Sequence, residues 1–403
     1  MRAEWAGRFL DAHRAELIAF RRHLHAHPEL SYNERETTDL LAQRLRVAGL
    51  RPVLLPNECG LLCDIGHGSG PVVALRADID ALAMDDEKVV PYRSQRPGVA
   101  HACGHDVHTT IVLGAGLALH ELLAELDGRV RLIFEPAEES LPGGAVEVID
   151  AGGLHDVSAI FGLHCDPKVD VGRVAVRAGA LTSATDMVLL DLHGPGGHTA
   201  RPHLTVDLVQ VAAQVATRLP DLVRERLADR GEALLVFGAL RAGDAVNAIP
   251  SHAELRGTFR TPDRVVWSGA EAVVTGAVGE LLADSGAEYV LDYRRGIPPV
   301  VNDAVETERL ASAARTVVGA EGVIDAPQSL GGDSFAWYLE EVPGSYARLG
   351  VHDPSGSDVR LDLHASNFDV DERAIDIGVQ VLVETALDAL GDDSRMSQIE
   401  NGS

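Results

Sequence analysis

The segment from His101 to His108 concentrates side chains that can bind metal ions, namely a thiol, several imidazoles and a carboxylate. Within it, Cys103 and His105 are separated by Gly104, which allows the backbone to bend so that both side chains face one ion. Thiolate and imidazole are preferred ligands of zinc and related divalent ions. The alternative is a helix N-terminus with a buried thiol and surface histidines, and the segment alone does not decide between the two.

A second segment, Phe134–Glu139, carries two adjacent carboxylates. Pro136 ends the apolar run before it, so that Glu138 and Glu139 fall on a loop at the end of a predicted strand. Such loops are where α/β sheets place their sites. One carboxylate can bind a metal while its neighbour acts as a general base. Taken alone, the pair is more typical of a solvated acidic turn.

Two single histidines follow strand-like runs in the same way. His164 comes directly after the apolar run 158–163, and His364 follows Asp362 and Leu363. A lone histidine in such a place is more often structural. The set changes this balance, because four separate loops then each offer a sulfur, nitrogen or oxygen ligand.

Further along, a glycine-rich loop at 194–203 presents His198 at its polar tip. It lacks the Lys-Ser/Thr ending of a phosphate-binding loop, and a flexible turn is the simpler interpretation. Asn247 is predicted to lie in a turn between two strands, and Arg260 at the end of the second strand. Without further context both are ordinary turn and surface residues.

The elements that must position these residues read as an α/β fold. Helices predicted at 5–27, 34–48 and 107–125 alternate with strands at 71–76, 130–134 and 158–163, which predicts a mixed sheet flanked by helices.

From 182 the pattern changes to strand, helix, two strands, helix and strand. This βαββαβ order predicts a ferredoxin-like unit inserted into the first domain. The expected boundaries are 1–181 and 294–403 for the discontinuous catalytic domain and 182–293 for the inserted domain. A polar tail after Leu390 is expected to be disordered.

Composition limits the partners. The chain has 61 Asp and Glu against 35 Lys and Arg, a net charge of −26. Such a charge repels nucleic acid and anionic membranes, so neither is expected as a partner. No basic-then-apolar leader and no apolar stretch long enough to cross a bilayer is recognised, so a cytoplasmic location is expected. The four cysteines are expected to be free thiols or metal ligands.

Taken together, these motifs resemble the two-metal metallopeptidases related to aminoacylase. Within that family the chain is similar to the amidohydrolase branch of bacterial aminoacylases, hippurate hydrolases and plant auxin-conjugate hydrolases. The matching segments run in family order from about residue 15 to 380: Arg22–Leu30, Leu75–Leu82, His101–His108, Pro136–Glu139, Gly162–His164, Gly196–His198, Asn247–Pro250 and Leu363–His364.

The resemblance implies a catalytic domain holding two divalent ions (zinc, manganese, cobalt or nickel) per subunit and a lid domain that makes a homodimer. By position, Cys103 is similar to the ligand shared by both ions. His105 and His164 would complete one ion, and Glu139 and His364 the other.

The resemblance also assigns roles around the metals. Glu138 is similar to the general base, and Asp78 to a carboxylate that orients a ligand imidazole. His198 corresponds to a histidine that reaches into the other subunit's site and polarises the scissile carbonyl. Asn247 and Arg260 correspond to residues that hold the substrate carboxylate.

Two departures from the family pattern bear on specificity. Gly331–Phe335 reads Gly-Gly-Asp-Ser-Phe where the family commonly has Gly-Ser-Glu-Asp-Phe, on a loop near the substrate in relatives. Ser366 stands where the family has proline. The expected activity is hydrolysis of an N-acyl amino acid. A deacetylase of N-acetyl-diaminopimelate type and a dipeptidase are alternatives, and a metal- or small-ligand-binding protein is the alternative outside enzymes. Glu138 argues against a simple binder, which has no need of a base.

Overall fold

The computed structural model describes residues 2–67, 70–123, 128–229, 231–356 and 359–391. The expectation of disorder after Leu390 therefore lies almost entirely outside the described residues. The helices of the described chain are α1 Arg2–Ala26, α2 Arg35–Val47, α3 His105–Leu123, α4 Ala145–Asp150, α5 Leu208–Leu227, α6 Arg264–Leu282, α7 Ala304–Val318, α8 Phe335–Glu341 and α9 Arg373–Ala389. The strands are β1 Val53–Leu54, β2 Leu61–His67, β3 Val72–Asp78, β4 Gly128–Glu135, β5 Val157–Asp170, β6 Val174–Val176, β7 Gly179–Ala180, β8 Ala184–His193, β9 Gly197–His198, β10 Leu234–Ala242, β11 Ala248–Ile249, β12 His252–Thr261, β13 Glu288–Ile297, β14 Val301–Asn302, β15 Val323–Asp325 and β16 Gly344–His352.

The chain forms two compact units. The first is built from the described residues up to Gly179, from Asn302–Pro327 and from Trp337 onward. The second is built from Ala180–Val301 and Gln328–Ala336.

The first unit contains a mixed eight-stranded sheet in the order β1-β2-β4-β3-β5-β16-β6-β15. Its centre, β4-β3-β5-β16, is parallel, whereas β2 and β6 run antiparallel to their neighbours β4 and β16. Every residue of β3 is buried, as expected for a parallel strand covered on both faces. Helices α1, α3, α7 and α9 pack against one another, and α3 and α9 also contact the central strands. The mixed α/β sheet predicted from the sequence is confirmed.

The second unit has the predicted βαββαβ order. Its sheet is antiparallel, with strand order β10-β12-β8-β13, and α5 and α6 pack against it and each other. Asp207 and Asp263 begin the two helices by accepting hydrogen bonds from the first backbone amides, the arrangement that stabilises a helix N-terminus. The short strands β9 and β11 pair beside this sheet.

One sequence expectation is corrected by α6. This helix is long and apolar enough to cross a bilayer by length and composition, although no such stretch was recognised. Its Val266, Ala270, Val274 and Val278 are buried in the core of the second unit. Core helices pass the same length test, so the property alone is weak support for a membrane span.

Candidate metal centre

The predicted ligands gather at the carboxyl ends of the parallel strands of the first unit. Asp78 ends β3, Glu135 ends β4, and His164 lies on the neighbouring β5. Because parallel strands end at the same edge of a sheet, the loops that follow them converge. Helix α3 begins at His105 at this edge, and Gly104 before it has a φ of +91°, a left-handed conformation that glycine adopts without strain.

Two groups of ligand atoms share one thiol. Cys103, His105 and His164 each offer one ligand atom within 4.8 Å of the others, and so do Cys103, Glu139 and His364. The Cys103 Sγ lies 3.5 Å from the His164 Nε2, and the Glu139 Oε1 lies 3.2 Å from the His364 Nε2. The first group is buried, whereas the His364 side chain is 50% exposed. The site therefore opens to solvent on the His364 side.

The ligand histidines are oriented by acceptors on their other ring nitrogen. His105 Nδ1 lies 2.9 Å from the backbone oxygen and 3.1 Å from the Oδ1 of Asp80. His164 Nδ1 lies 2.7 Å from the backbone oxygen of Cys165. Each Nδ1–H therefore donates, which leaves the Nε2 lone pair for a metal ion.

The hydrogen bonding of the buried His105 Nε2 indicates whether this site fits a cation. It makes no hydrogen bond within the described part of the chain, and carboxylate oxygens of Asp78 and Glu139 lie 3.7 and 3.9 Å from it. A buried polar atom without a hydrogen bond is costly unless another group occupies the space beside it. Thiol, imidazole and carboxylate form the donor set of zinc and related ions, so these residues fit a divalent metal site.

The loop that carries the two glutamates is fixed by its backbone. Ala137 has a φ of +54°, and its amide donates to the Glu34 Oε1 at 2.7 Å. The amide of Glu139 donates to the Asp80 Oδ2 at 3.0 Å. Glu138, between these two anchors, is half-buried and offers a carboxylate oxygen within 4.8 Å of ligand atoms of His105 and Glu139.

Comparison with known proteins identifies the family. The pattern of peptidase family M20/M25/M40 matches residues 74–388. The chain belongs to this family.

Individual relatives agree with this M20 assignment. The chain is 37% identical over 374 residues to N-acetyl-L-cysteine deacetylase of Bacillus subtilis, covering 92% of this chain and 87% of the relative. It is 48% identical over 379 residues, 94% of this chain, to a Rhodococcus jostii protein named "Putative glutamate--cysteine ligase 2-3", and spans 47% of that protein's length. A solved structure of a dinuclear metal-binding M20 peptidase from Bacillus subtilis superposes with a TM-score of 0.81, 33% identity and coverage of 94% and 99% of the two chains. The M20 chain is thus a hydrolase.

Binding of a cation at the M20 site requires protons to leave two of the candidate ligands. Burial raises the pKa of the Cys103 thiol well above its ordinary value. Burial opposes a charge on His105, but the nearby Asp78 carboxylate favours it, and the His105 pKa is raised well above the usual range. Burial, followed by the positive charge of Arg348, lowers the pKa of His164. A cation must therefore displace protons from Cys103 and His105, whereas His164 is already neutral.

The resemblance implied that Asp78 orients a ligand imidazole, and in the structure its shortest imidazole contact is with His108, which is not among the predicted ligands. It accepts from His108 Nδ1 at 2.6 Å and from Arg76 at 2.7 Å, and His108 Nε2 accepts from the Cys165 amide at 2.8 Å. The carboxylate that accepts a hydrogen bond from the Nδ1 of the predicted ligand His105 is that of Asp80.

Asp80 was missed by the sequence analysis. It lies two residues after Asp78 in the matching Leu75–Leu82 segment, and that spacing directly beyond a buried strand was the available signal. Glu34 was also missed, because nothing local relates it to the loop that it anchors.

Three predicted site residues, His198, Asn247 and Arg260, lie in the second unit. His198 and Asn247 are exposed neighbours, since β9 pairs with β11 and His198 stands opposite Ala248. The His198 Nδ1 accepts from the Ala200 amide at 3.0 Å.

Arg260 lies elsewhere in that unit, where it donates to Thr185 and to the backbone oxygen of Leu330. Leu330 directly precedes the atypical Gly331–Phe335 loop, in which Asp333 is buried and accepts from the Phe335 amide at 2.8 Å.

Proposed function

We propose that this M20 hydrolase cleaves the amide bond of N-acyl amino acids with two divalent ions. The observation that carries the proposal is the pair of ligand groups that share Cys103, with the Glu138 carboxylate beside them. A single group would suit a structural ion. Two groups that share a ligand, open on one side and adjacent to a second carboxylate, suit catalysis.

The residues divide between the two ions as follows. Cys103 would be shared by both ions, His105 and His164 would hold the first, and Glu139 and His364 would hold the second. When bound, such ions supply Lewis acidity, which lowers the pKa of water from about 15.7 towards about 7 and polarises an amide carbonyl. Zinc, manganese, cobalt and nickel all accept this donor set.

Glu138 carries the proton in the proposed reaction. Its carboxylate takes a proton from the attacking water as the oxygen adds to the amide carbon. It then delivers this proton to the departing amine nitrogen, so that one group acts as base and then as acid. Asp80 keeps His105 in the required tautomer throughout, and the two anchors of the loop hold Glu138 in place.

The second unit supplies substrate contacts in this proposal. His198 stabilises the oxyanion from the other subunit of a homodimer, and Asn247 and Arg260 hold the substrate carboxylate. An oxyanion donor of this kind contributes on the order of 10²–10³ in rate. The resemblance to N-acetyl-L-cysteine deacetylase supports a small acyl group such as acetyl.

The test is release of free amino acid from a panel of N-acetyl, N-benzoyl and dipeptide substrates. The protein is first stripped with a chelator and then supplied with manganese, zinc, cobalt or nickel. Activity lost with the chelator and restored by one ion supports the proposal, and the panel ranks the acyl groups. Tight metal uptake without hydrolysis of any panel member would instead favour the binding-protein alternative.

A further inference from the structure

Arg348 stands beside the metal centre without a role in the chemistry described above. It lies on β16, which pairs in parallel with β5, and in this register Arg348 is opposite His164. Residues in register on neighbouring strands point to the same face of a sheet. Tyr346, two residues earlier, shares that face, and its ring centroid lies 6.1 Å from that of His164.

Within the described part of the chain, the Arg348 guanidinium contacts an aromatic ring rather than a carboxylate. The guanidinium carbon lies 5.9 Å from the Tyr346 ring centroid, and the side chain is half-buried. Among residues 2–67, 70–123, 128–229, 231–356 and 359–391, none forms a hydrogen bond or ion pair with the Arg348 side chain.

Arg76, on the same sheet, is an arginine whose charge is paired with carboxylates of the protein. It donates to Asp78 and to Glu135, each at 2.7 Å. The chain has 61 acidic residues against 35 basic ones, so acidic residues that could pair with an arginine outnumber the basic residues. A half-buried guanidinium with no acceptor among the described residues is available to pair with an anionic group of a ligand.

We propose that Arg348 binds a second carboxylate of the substrate, so that the enzyme prefers N-acyl amino acids that carry two carboxylates. This inference rests on the proposed function, in which Asn247 and Arg260 hold the α-carboxylate. The planar guanidinium pairs with a carboxylate through two parallel hydrogen bonds. The second carboxylate lies either on the amino-acid side chain or at the end of the acyl chain.

Three substrates distinguish between these two positions of the second carboxylate. N-acetyl-L-alanine has one carboxylate, N-acetyl-L-glutamate has a second on the amino-acid side, and N-succinyl-L-alanine has a second on the acyl side. The kcat and KM of each are measured for the wild type and for Arg348→Ala and Arg348→Lys. Arg46→Gln, which removes an exposed positive charge on α2, is the matched control.

The expected result is selective. Loss of a charge-assisted pair costs about 30-fold or more, so kcat/KM of Arg348→Ala falls by this factor on one dicarboxylate, chiefly through KM. The fall on N-acetyl-L-alanine is several-fold smaller. Arg348→Lys recovers part of the loss, and Arg46→Gln matches the wild type. An equal loss on all three substrates, or none on any, overturns the proposal.

A binding measurement keeps the inference independent of turnover. Calorimetry with L-glutamate, succinate and L-alanine compares wild type and Arg348→Ala after thermal melting and metal content have shown that both are folded and loaded. We expect one dicarboxylate to bind the wild type more tightly than L-alanine does, and to lose that advantage in the variant. If the wild type hydrolyses no amide, the proposed function fails, yet this comparison still decides the role of Arg348. Equal binding by both proteins overturns it.

Discussion

The Glu34 Oε1 accepts a hydrogen bond of 2.7 Å from the backbone amide of Ala137, the left-handed residue directly before Glu138. Glu34 precedes helix α2 and is 103 residues away in sequence from the loop that it anchors. Its side chain is fully buried, so the hydrogen bond is shielded from water. A buried carboxylate therefore fixes one side of the proposed general base, and Asp80 fixes the other side through the Glu139 amide.

The burial of Glu34 predicts a distinctive dependence of stability on pH. Burial, followed by the nearby Asp80, raises the pKa of Glu34 from 4.5 to about 7. Between these values the folded chain keeps a proton that the unfolded chain loses. The free energy of unfolding contributed by Glu34 is thus full below about pH 4.5 and falls by about 3 kcal/mol as the pH rises to about 7.

Denaturant unfolding of metal-stripped protein between about pH 5 and about pH 7 checks this sign. Glu34→Gln removes the titration but keeps an oxygen that accepts from Ala137. We expect its free energy of unfolding to fall less steeply with rising pH than that of the wild type. Identical slopes for the two proteins would show that Glu34 does not titrate in this range.

Asp80 predicts a metal-binding phenotype. The Asp80 Oδ1 accepts from His105 Nδ1, so Asp80→Ala removes this hydrogen bond and its negative charge, lowers the basicity of the ring and leaves the backbone oxygen of residue 80 as the acceptor. Removing such a partner typically costs about 10–100-fold in metal affinity, and we expect that loss here. Titration with a zinc-competing dye measures it. Asp39→Asn, an exposed carboxylate on α2, should leave the affinity unchanged, and an unaltered affinity of Asp80→Ala would refute the orienting role.

Substitutions of the two adjacent glutamates should have different effects, because Glu138 is the proposed general base and Glu139 a proposed metal ligand. Glu138→Gln is expected to retain two ions per chain while kcat falls by about 10²–10⁴, the usual contribution of a general base. Glu139→Gln is expected to lose bound metal as well as activity. Metal analysis of dialysed protein together with initial rates distinguishes the two. Wild-type turnover by Glu138→Gln, or loss of its metal, would reverse the assignment.

Much of the fold follows from local patterns. The alternation of apolar strands with helices predicted the mixed sheet, and the change at 182 predicted the βαββαβ unit; both are confirmed by the structure. Periodicity suffices to predict these elements because the apolar residues of each buried face repeat with the period of a helix or of a strand. The same pattern predicted α6 as a helix of the βαββαβ unit but did not show that it is also long and apolar enough to cross a bilayer.

The sequence predicts the site residues only where the residue type itself indicates metal binding or proton transfer. Cys103, His105 and the two glutamates were selected because their types bind metal or carry protons. Glu34 and Arg348 are common residues whose importance depends on register and long-range contact. The strand β16 was not predicted, so nothing in the sequence placed Arg348 opposite His164.

The last prediction concerns His198 and tests the proposed homodimer. His198→Ala and Glu138→Gln should each be nearly inactive. If His198 serves the other subunit's site, a mixed dimer has one site with both changes and one with neither. Random exchange of equal amounts makes half of all dimers mixed, so activity should return to about a quarter of the wild-type value. Each variant subjected to exchange with itself is the control. Activity of the mixture no greater than that of the separate variants would show that His198 serves its own chain or none.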